Sequence, residues 1–193
     1  MLGTMSNPGV AQFVAAIRFL LLTGARKSEA LDLRWSWVDA ERACLRLPDS
    51  KTGAKVVPLG EPALELLASL PRLEGNPHVF PGATAGGHLI GLQKIWDRIR
   101  RDAGLSDLRL HDLRHHFISV GASSGESLYV LGKVAGHKQA ATTQRYAHLA
   151  DEPVRRAASN IARQVHRSLN GGEGSSVDPL DRRPRSSSKV LEG

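Results

Sequence analysis

Three residues of one short segment combine imidazole and guanidinium groups at a spacing suited to binding an anion. His111, Arg114 and His115 lie at positions i, i+3 and i+4 of a predicted helix and therefore share one face. Two alternatives stay open for this segment alone. One is an ordinary solvated helix face. The other is a metal site formed by His111 and His115, which the charge of Arg114 opposes.

A second basic segment lies where a helix is predicted to begin. Arg26 follows Gly24, and a cation in the first turn of a helix is unfavourable for the helix dipole. A bound phosphate would offset this, because helix N-termini and guanidinium groups both favour anions. Glu29 lies one turn later and can orient Arg26. The alternative is a surface Arg–Glu pair.

Three further residues could contribute to the same chemistry. Lys51 lies in a polar turn, where it is either a solvated side chain or a mobile cation that reaches into a site. His137 follows a glycine at the end of a predicted helix. The chain has two tyrosines: Tyr129 lies in an apolar run and is predicted to be in the core, whereas Tyr146 lies among polar residues. A lone tyrosine is more often structural than nucleophilic.

The elements that must position these residues are mainly helices. The pattern also predicts a β-hairpin, with strands at 44–47 and 55–59 around a polar turn containing glycine, and a third strand at 37–39. We therefore expect an α+β fold, mainly α-helical, with a small antiparallel β-sheet. Apolar periodicity and helix-stop signals predict helices over 10–23, 26–35, 61–70, 89–103, 113–122, 128–135, 142–149 and 153–169.

Composition narrows the possible partners and compartments. The chain of 193 residues carries a formal net charge of +7, which favours a polyanionic partner. The single cysteine, Cys44, excludes an intrachain disulfide and a thiolate metal cluster, and its strand-like context predicts a core position. The longest apolar stretch, 13–22, is too short for a membrane span. We expect a cytoplasmic protein with no membrane association.

Taken in order, these segments resemble the tyrosine recombinase (phage integrase) family. The resemblance extends from about residue 13 to residue 150 and implies the catalytic-domain fold of that family. We assign residues 1–170 to this catalytic domain. Residues 171–193 are rich in Gly, Ser, Pro and Arg and cannot bury enough apolar surface to fold, so we expect them to form a disordered basic tail. The family's ordered set of Arg, Lys, His-x-x-Arg, His and Tyr is matched by TGARKSEAL, DSKTGAKVVPL, LHDLRHHF, AGHKQ and TTQRYAH.

The resemblance implies a division of roles in DNA strand cleavage. Tyr146 attacks the scissile phosphorus and forms a 3′-phosphotyrosyl link. Arg26 and Arg114 hold the non-bridging phosphate oxygens, Lys51 protonates the departing 5′ oxygen, and His111 manages the tyrosine proton. No cofactor and no metal ion are required, because two arginines and a lysine supply the positive charge.

The remaining implied roles concern support and partners. His137 bonds a phosphate oxygen, and His115 and Glu29 support the site. The partner is double-stranded DNA. Members usually carry an additional N-terminal helical domain that holds the opposite face of the DNA, and this chain begins just before the catalytic domain, so we expect weak binding. Binding should also be salt-sensitive, because phosphate contacts dominate the affinity. The helix at 153–169 is expected to mediate self-association on DNA, and packing on its own domain is the alternative. The setting is a bacterial or phage nucleoid.

Three other interpretations remain open at this point. A type IB topoisomerase uses a similar residue set but relaxes supercoiled DNA without exchanging strands. A DNA-binding module could carry the same residues without activity. A metal-dependent protein could use the histidines as ligands.

Overall fold

The computed structural model describes residues 8–48, 53–136 and 140–169 of the chain. The chain divides after Arg155, within the last helix, into two units. The helices are α1 (Pro8–Thr23), α2 (Lys27–Leu31), α3 (Glu61–Ser69), α4 (Leu92–Asp102), α5 (Asp112–Ser124), α6 (Leu128–Ala135), α7 (Ala140–Gln144) and α8 (Asp151–Leu169); the strands are β1 (Val38–Asp39), β2 (Cys44–Leu47) and β3 (Lys55–Pro58).

The predicted small sheet is present as three antiparallel strands in the order β1-β2-β3. Leu45 is at its centre, paired with Val38 on one side and with Val57 on the other. Leu45 and Val57 are both buried, and so is Cys44. The expected mainly helical fold with a small antiparallel sheet is thus confirmed, as is the core position of Cys44.

Two groups of buried side chains hold the first unit together. The larger one surrounds α1, whose Ile17 and Phe19 are fully buried, and Phe19 contacts the ring of Phe80 at a centroid distance of 5.6 Å. The smaller one joins α5 and α6 to the segment after α7, and consists of Ile118, Ala122, Leu131, Ala135 and Tyr146. The smaller group therefore contains the tyrosine that the resemblance makes the nucleophile.

Two predicted helices are shorter than expected because residues at one end of each form hydrogen bonds with other segments instead of helical ones. The helix predicted over 26–35 ends at Leu31, and the carbonyl of Leu33 accepts a hydrogen bond from the amide of Val79 at 2.8 Å. The helix predicted from residue 89 begins at Leu92, because the amide of Leu89 donates to the carbonyl of Phe80 at 2.8 Å. Trp35–Trp37 form a short 3₁₀ helix, so the third strand, predicted from residue 37, begins at Val38.

The helix predicted over 142–149 is in fact two pieces. Helix α7 ends at Gln144, and a 3₁₀ helix spans Ala147–Ala150. Tyr146 lies between them, where its amide donates to the carbonyl of Thr143 at 3.0 Å. This i−3 bond tightens the chain relative to an α-helix. Tyr146 therefore lies in a turn between two short helices.

The core position predicted for Tyr129 was wrong, and Tyr146 is buried although its neighbours in the sequence are polar. Tyr129 is 73% exposed, whereas Tyr146 is only 6% exposed. Helix α6 packs through Leu131 and Ala135, so Tyr129 faces outward, with the ammonium of Lys133 at 5.4 Å from its ring centre. Lys51, His137 and the tail 171–193 lie outside the described residues. None of the helices in the described ranges has the length and apolar composition needed to cross a membrane.

Candidate active site

Arg26 and Glu29 form a reciprocal arrangement at the start of α2. The amide of Arg26 donates to Oε2 of Glu29 at 3.1 Å, and its Nη1 donates to Oε1 at 2.8 Å. Its Nη2 donates to the carbonyl of Gly136, at the end of α6, at 3.2 Å. Glu29 is only 7% exposed. The pair is therefore built into the structure and is not a solvated surface pair.

Gly24 makes the turn that places Arg26 there. Its φ is +60°, a left-handed conformation that glycine adopts without steric cost. A Cβ at this position would lie 2.6 Å from the ring of Phe117. Both the conformation and the close approach of α5 require glycine, so the turn is specified by two independent constraints.

Arg114 on α5 links three segments of the chain. Its side chain is buried, its Nη1 donates to the carbonyl of Gly24 at 2.5 Å, and its Nη2 donates to the carbonyl of Ala135 at 2.5 Å. Burial lowers the pKa of Arg114, and the nearby charge of Arg26 lowers it further. A guanidinium has five N–H donors, so donors remain for a phosphate.

The hydroxyl of Tyr146 is hydrogen-bonded to Nδ1 of His115. Burial lowers the pKa of His115, which favours the neutral imidazole at neutral pH. Burial also raises the pKa of Tyr146, although the charges of Arg145 and Arg114 oppose this rise. The neutral imidazole lies in position to accept the phenol proton, although the lowered pKa of His115 and the raised pKa of Tyr146 both oppose that transfer.

His111 immediately precedes α5, and its ring lies edge-on to that of His115 at a centroid distance of 4.9 Å. It lines a cavity of about 460 Å³ together with Arg114, Lys27 and Arg109. No acidic side chain is among the described residues that line this cavity. The walls therefore favour an anion. Among the described residues, no group of three or more His, Cys, Asp or Glu side chains is placed to hold a metal ion.

Lys55, at the start of β3, is a site residue that the sequence analysis missed. Its Nζ lies 2.7 Å from Oε1 of Glu29, and its side chain is 15% exposed. Burial raises the pKa of Glu29, but the hydrogen bonds from Lys55 and Arg26 outweigh it and leave the pKa below its usual value. Glu29 is thus a carboxylate shared between two cations.

A periodicity of two could have identified Lys55. It lies two residues before the buried Val57 and therefore on the same face of β3, while Val56 between them is exposed. A lysine on the inner face of a strand needs an acidic partner, because burying an unpaired charge is costly.

A sequence profile described as the phage integrase family matches residues 2–153. The chain belongs to the phage integrase family. The prophage integrase IntF of Escherichia coli K12 is 29% identical over 171 residues, which cover 86% of this chain and 34% of IntF. The chain thus spans about a third of the length of that relative.

Solved structures of related proteins share the fold. The XerH site-specific recombinase, bound to palindromic difH substrate in a post-cleavage complex, matches with a TM-score of 0.64 and 25% identity. That match covers 80% of this chain and 47% of XerH. The catalytic domain of bacteriophage HP1 integrase matches with a TM-score of 0.59 and 26% identity, covering 81% of this chain and 84% of that domain.

In this integrase-family chain, the structure brings six of the eight sequence-predicted site residues into one unit. It joins Arg26 to Glu29 and pairs Tyr146 with His115. Arg114 is bonded to the turn before Arg26 and to the end of α6, which Arg26 also contacts. It places His115, rather than His111, against the phenol. Lys51 and His137 lie outside the described residues, so their roles stay predictions.

Proposed function

We propose that this chain is the catalytic domain of a site-specific DNA recombinase that cleaves and rejoins strands through a 3′-phosphotyrosyl intermediate. The observation that carries the proposal is the hydrogen bond between Tyr146 and His115, within electrostatic range of the buried guanidinium of Arg114. Membership of the phage integrase family supports it, as does the likeness to XerH, whose structure is a post-cleavage complex with its DNA substrate.

In the proposed cleavage step, the oxygen of Tyr146 forms a bond to the scissile phosphorus. Nδ1 of His115 receives the phenol proton, and His111 contacts the phosphate from the adjoining cavity. The bond between phosphorus and the 5′ oxygen breaks, and the departing oxygen takes a proton from Lys51, as the sequence analysis predicts. Arg26 and Arg114 stabilise the negative charge that develops on the non-bridging oxygens, and His137 donates to one of them.

Rejoining is the reverse of this step. The phosphotyrosine is an ester, so its bond energy is close to that of the original phosphodiester. A 5′ hydroxyl can attack it and release the tyrosine without an external energy source. Exchange follows when the attacking hydroxyl comes from a second DNA strand.

Trapping on a nicked suicide substrate tests the assignment, and the chain offers a matched control. Tyr146→Phe should bind DNA but form no covalent adduct, whereas Tyr129→Phe should form the adduct as the unaltered chain does. Tyr129 is suitable because it is exposed on α6. An adduct formed by Tyr146→Phe would contradict the proposal. An unaltered chain that relaxes supercoiled DNA without exchanging strands would instead indicate a topoisomerase-like activity.

We propose duplex DNA as the partner, at a bacterial or phage nucleoid in the cytoplasm. The net charge of +7 and the cationic cavity beside His111 support this partner. Binding should be weak and should weaken steeply with added salt, because phosphate contacts release counterions. Binding that is insensitive to salt would count against the proposal.

We further propose that α8 mediates self-association on DNA. Val154, Ile161 and Val165 are exposed, and their spacings of seven and four residues align them on one face of the helix. Ile161→Glu should therefore reduce cross-linking between copies on DNA. Ser159→Glu adds the same charge on the opposite face and should leave it unchanged. Equal cross-linking by both variants would refute this role.

A further inference from the structure

Lys55 is a charged residue in the site to which the proposed reaction assigns no role. It begins β3, where it pairs with Leu47 across the hairpin. Its ammonium lies 2.7 Å from Oε1 of Glu29, the same oxygen that accepts from Nη1 of Arg26 at 2.8 Å. One carboxylate oxygen therefore receives donors from the hairpin and from the start of α2.

The ammonium of Lys55 also packs against the end of α6. A Cβ on Gly136 would lie 3.2 Å from the Nζ of Lys55. The carbonyl of the same glycine accepts the Nη2 of Arg26 at 3.2 Å. Lys55, Glu29, Arg26 and Gly136 thus form a closed set of contacts among β3, α2 and α6.

We infer that Lys55 is a positioning residue: it holds the Glu29 carboxylate, and through it the Arg26 guanidinium, in the orientation that binds the scissile phosphate. The inference rests on the proposed phosphoryl transfer. The same contact ties the first residue of β3 to α2, and this residue comes four positions after Lys51 in the sequence.

The charges around Glu29 explain why losing its contact with Lys55 would affect Arg26. Glu29 is nearly buried and is compensated by two cations. Without Lys55, both carboxylate oxygens are free to bind Arg26 alone, which turns its donors away from the phosphate and neutralises its charge. A guanidinium displaced in this way remains in the site, but its N–H donors no longer point at the phosphate oxygens on which charge develops.

The test compares Lys55→Met, Lys55→Arg and the control Lys94→Met, which removes a lysine charge from the exposed side of α4. Single-turnover cleavage is measured at saturating DNA and well below each melting temperature. Lys55→Met should cleave on the order of tenfold to a hundredfold more slowly, with DNA affinity little changed. Lys55→Arg should recover most of the rate, and Lys94→Met should retain all of it.

A wild-type rate in folded Lys55→Met would overturn the inference and show that Lys55 only stabilises the fold. That result leaves the proposed function intact as long as the unaltered chain forms its tyrosyl adduct. If Lys55→Met does not fold, Lys55→Thr suits a strand and is too short to reach Glu29. A folded Lys55→Thr that cleaves at the wild-type rate would overturn the inference equally.

Two measurements separate positioning from proton donation. A substrate with sulfur in place of the 5′ bridging oxygen releases a thiolate, whose conjugate acid has a pKa near 8.5 and needs no proton donor. The Lys55→Met defect should persist on this substrate, and its disappearance would overturn the inference. Combined with Glu29→Gln, Lys55→Met should cost less than the sum of the two single effects, because both act through one carboxylate. Additive losses would also contradict it.

Discussion

Replacing Arg114 by alanine should weaken the fold as well as the reaction. The side chain is 6% exposed and donates to two backbone carbonyls, those of Gly24 and Ala135. Each hydrogen bond from a charged donor contributes about 1.5 kcal/mol or more, so the two lost bonds should lower the free energy of unfolding by about 3 kcal/mol. For a chain of this size, that corresponds to a melting temperature lower by about 6–12 °C.

The same substitution should slow cleavage by about a hundredfold or more, the scale of removing one donor to a developing oxyanion. Urea denaturation followed by circular dichroism measures the first effect, and single-turnover cleavage of a nicked substrate measures the second. Arg98→Ala is the matched control. Its side chain is exposed on α4 and pairs with Asp102 at 3.8 Å, so its loss should change stability by about 0.5 kcal/mol or less.

Two results would refute this reasoning independently. An Arg114→Ala chain as stable as the unaltered one would show that the two carbonyl bonds do not hold the segments together. A stable or destabilised variant that cleaves at the wild-type rate would show that this guanidinium does not contact the phosphate.

The remaining predictions concern the turn before α2 and the response to pH. Gly24→Ala should be at least about 1–3 kcal/mol more destabilising than Gly104→Ala, because both have positive φ but only the first would place its Cβ against Phe117; equal losses in urea denaturation would contradict the packing argument. Burial lowers the pKa of His115 in the folded chain, so the unfolded chain binds more protons below about pH 6.5. The free energy of unfolding should therefore fall as the pH decreases from about 7 to 5. This fall should be shallower in His115→Gln, and an unchanged slope would contradict the assigned pKa direction.

Local patterns predicted the sheet and the existence of most helices, but not where tertiary partners end them. Leu33 and Leu89 both continue an apolar periodicity that is typical of helix. The carbonyl of Leu33 instead bonds to Val79, which is distant in sequence, and the amide of Leu89 bonds to Phe80 on the preceding loop. Apolar periodicity does not indicate such hydrogen bonds, so these two helix ends could not be read from it.

The site was predicted from residue types in order, and its internal contacts were not. The sequence linked Glu29 to Arg26 because they are one turn apart on a helix. It could not show that His115, rather than His111, reaches Tyr146, since that depends on how α5 packs against the turn after α7. It also predicted a core position for Tyr129, which is exposed, and did not show that Tyr146 is buried. Flanking residues give the local polarity, whereas burial depends on which helix face meets a partner.

The hydrogen bond between Tyr146 and His115 joins two residues of one polypeptide, and Arg114 belongs to the same chain. In the proposed reaction, each copy therefore supplies its own nucleophile, base and phosphate-binding guanidinium. A mixed assembly of two copies, one damaged at the phenol and the other at the guanidinium, contains no intact centre, however closely the copies associate. Under the proposed mechanism, such an assembly is therefore expected to make no cut at all.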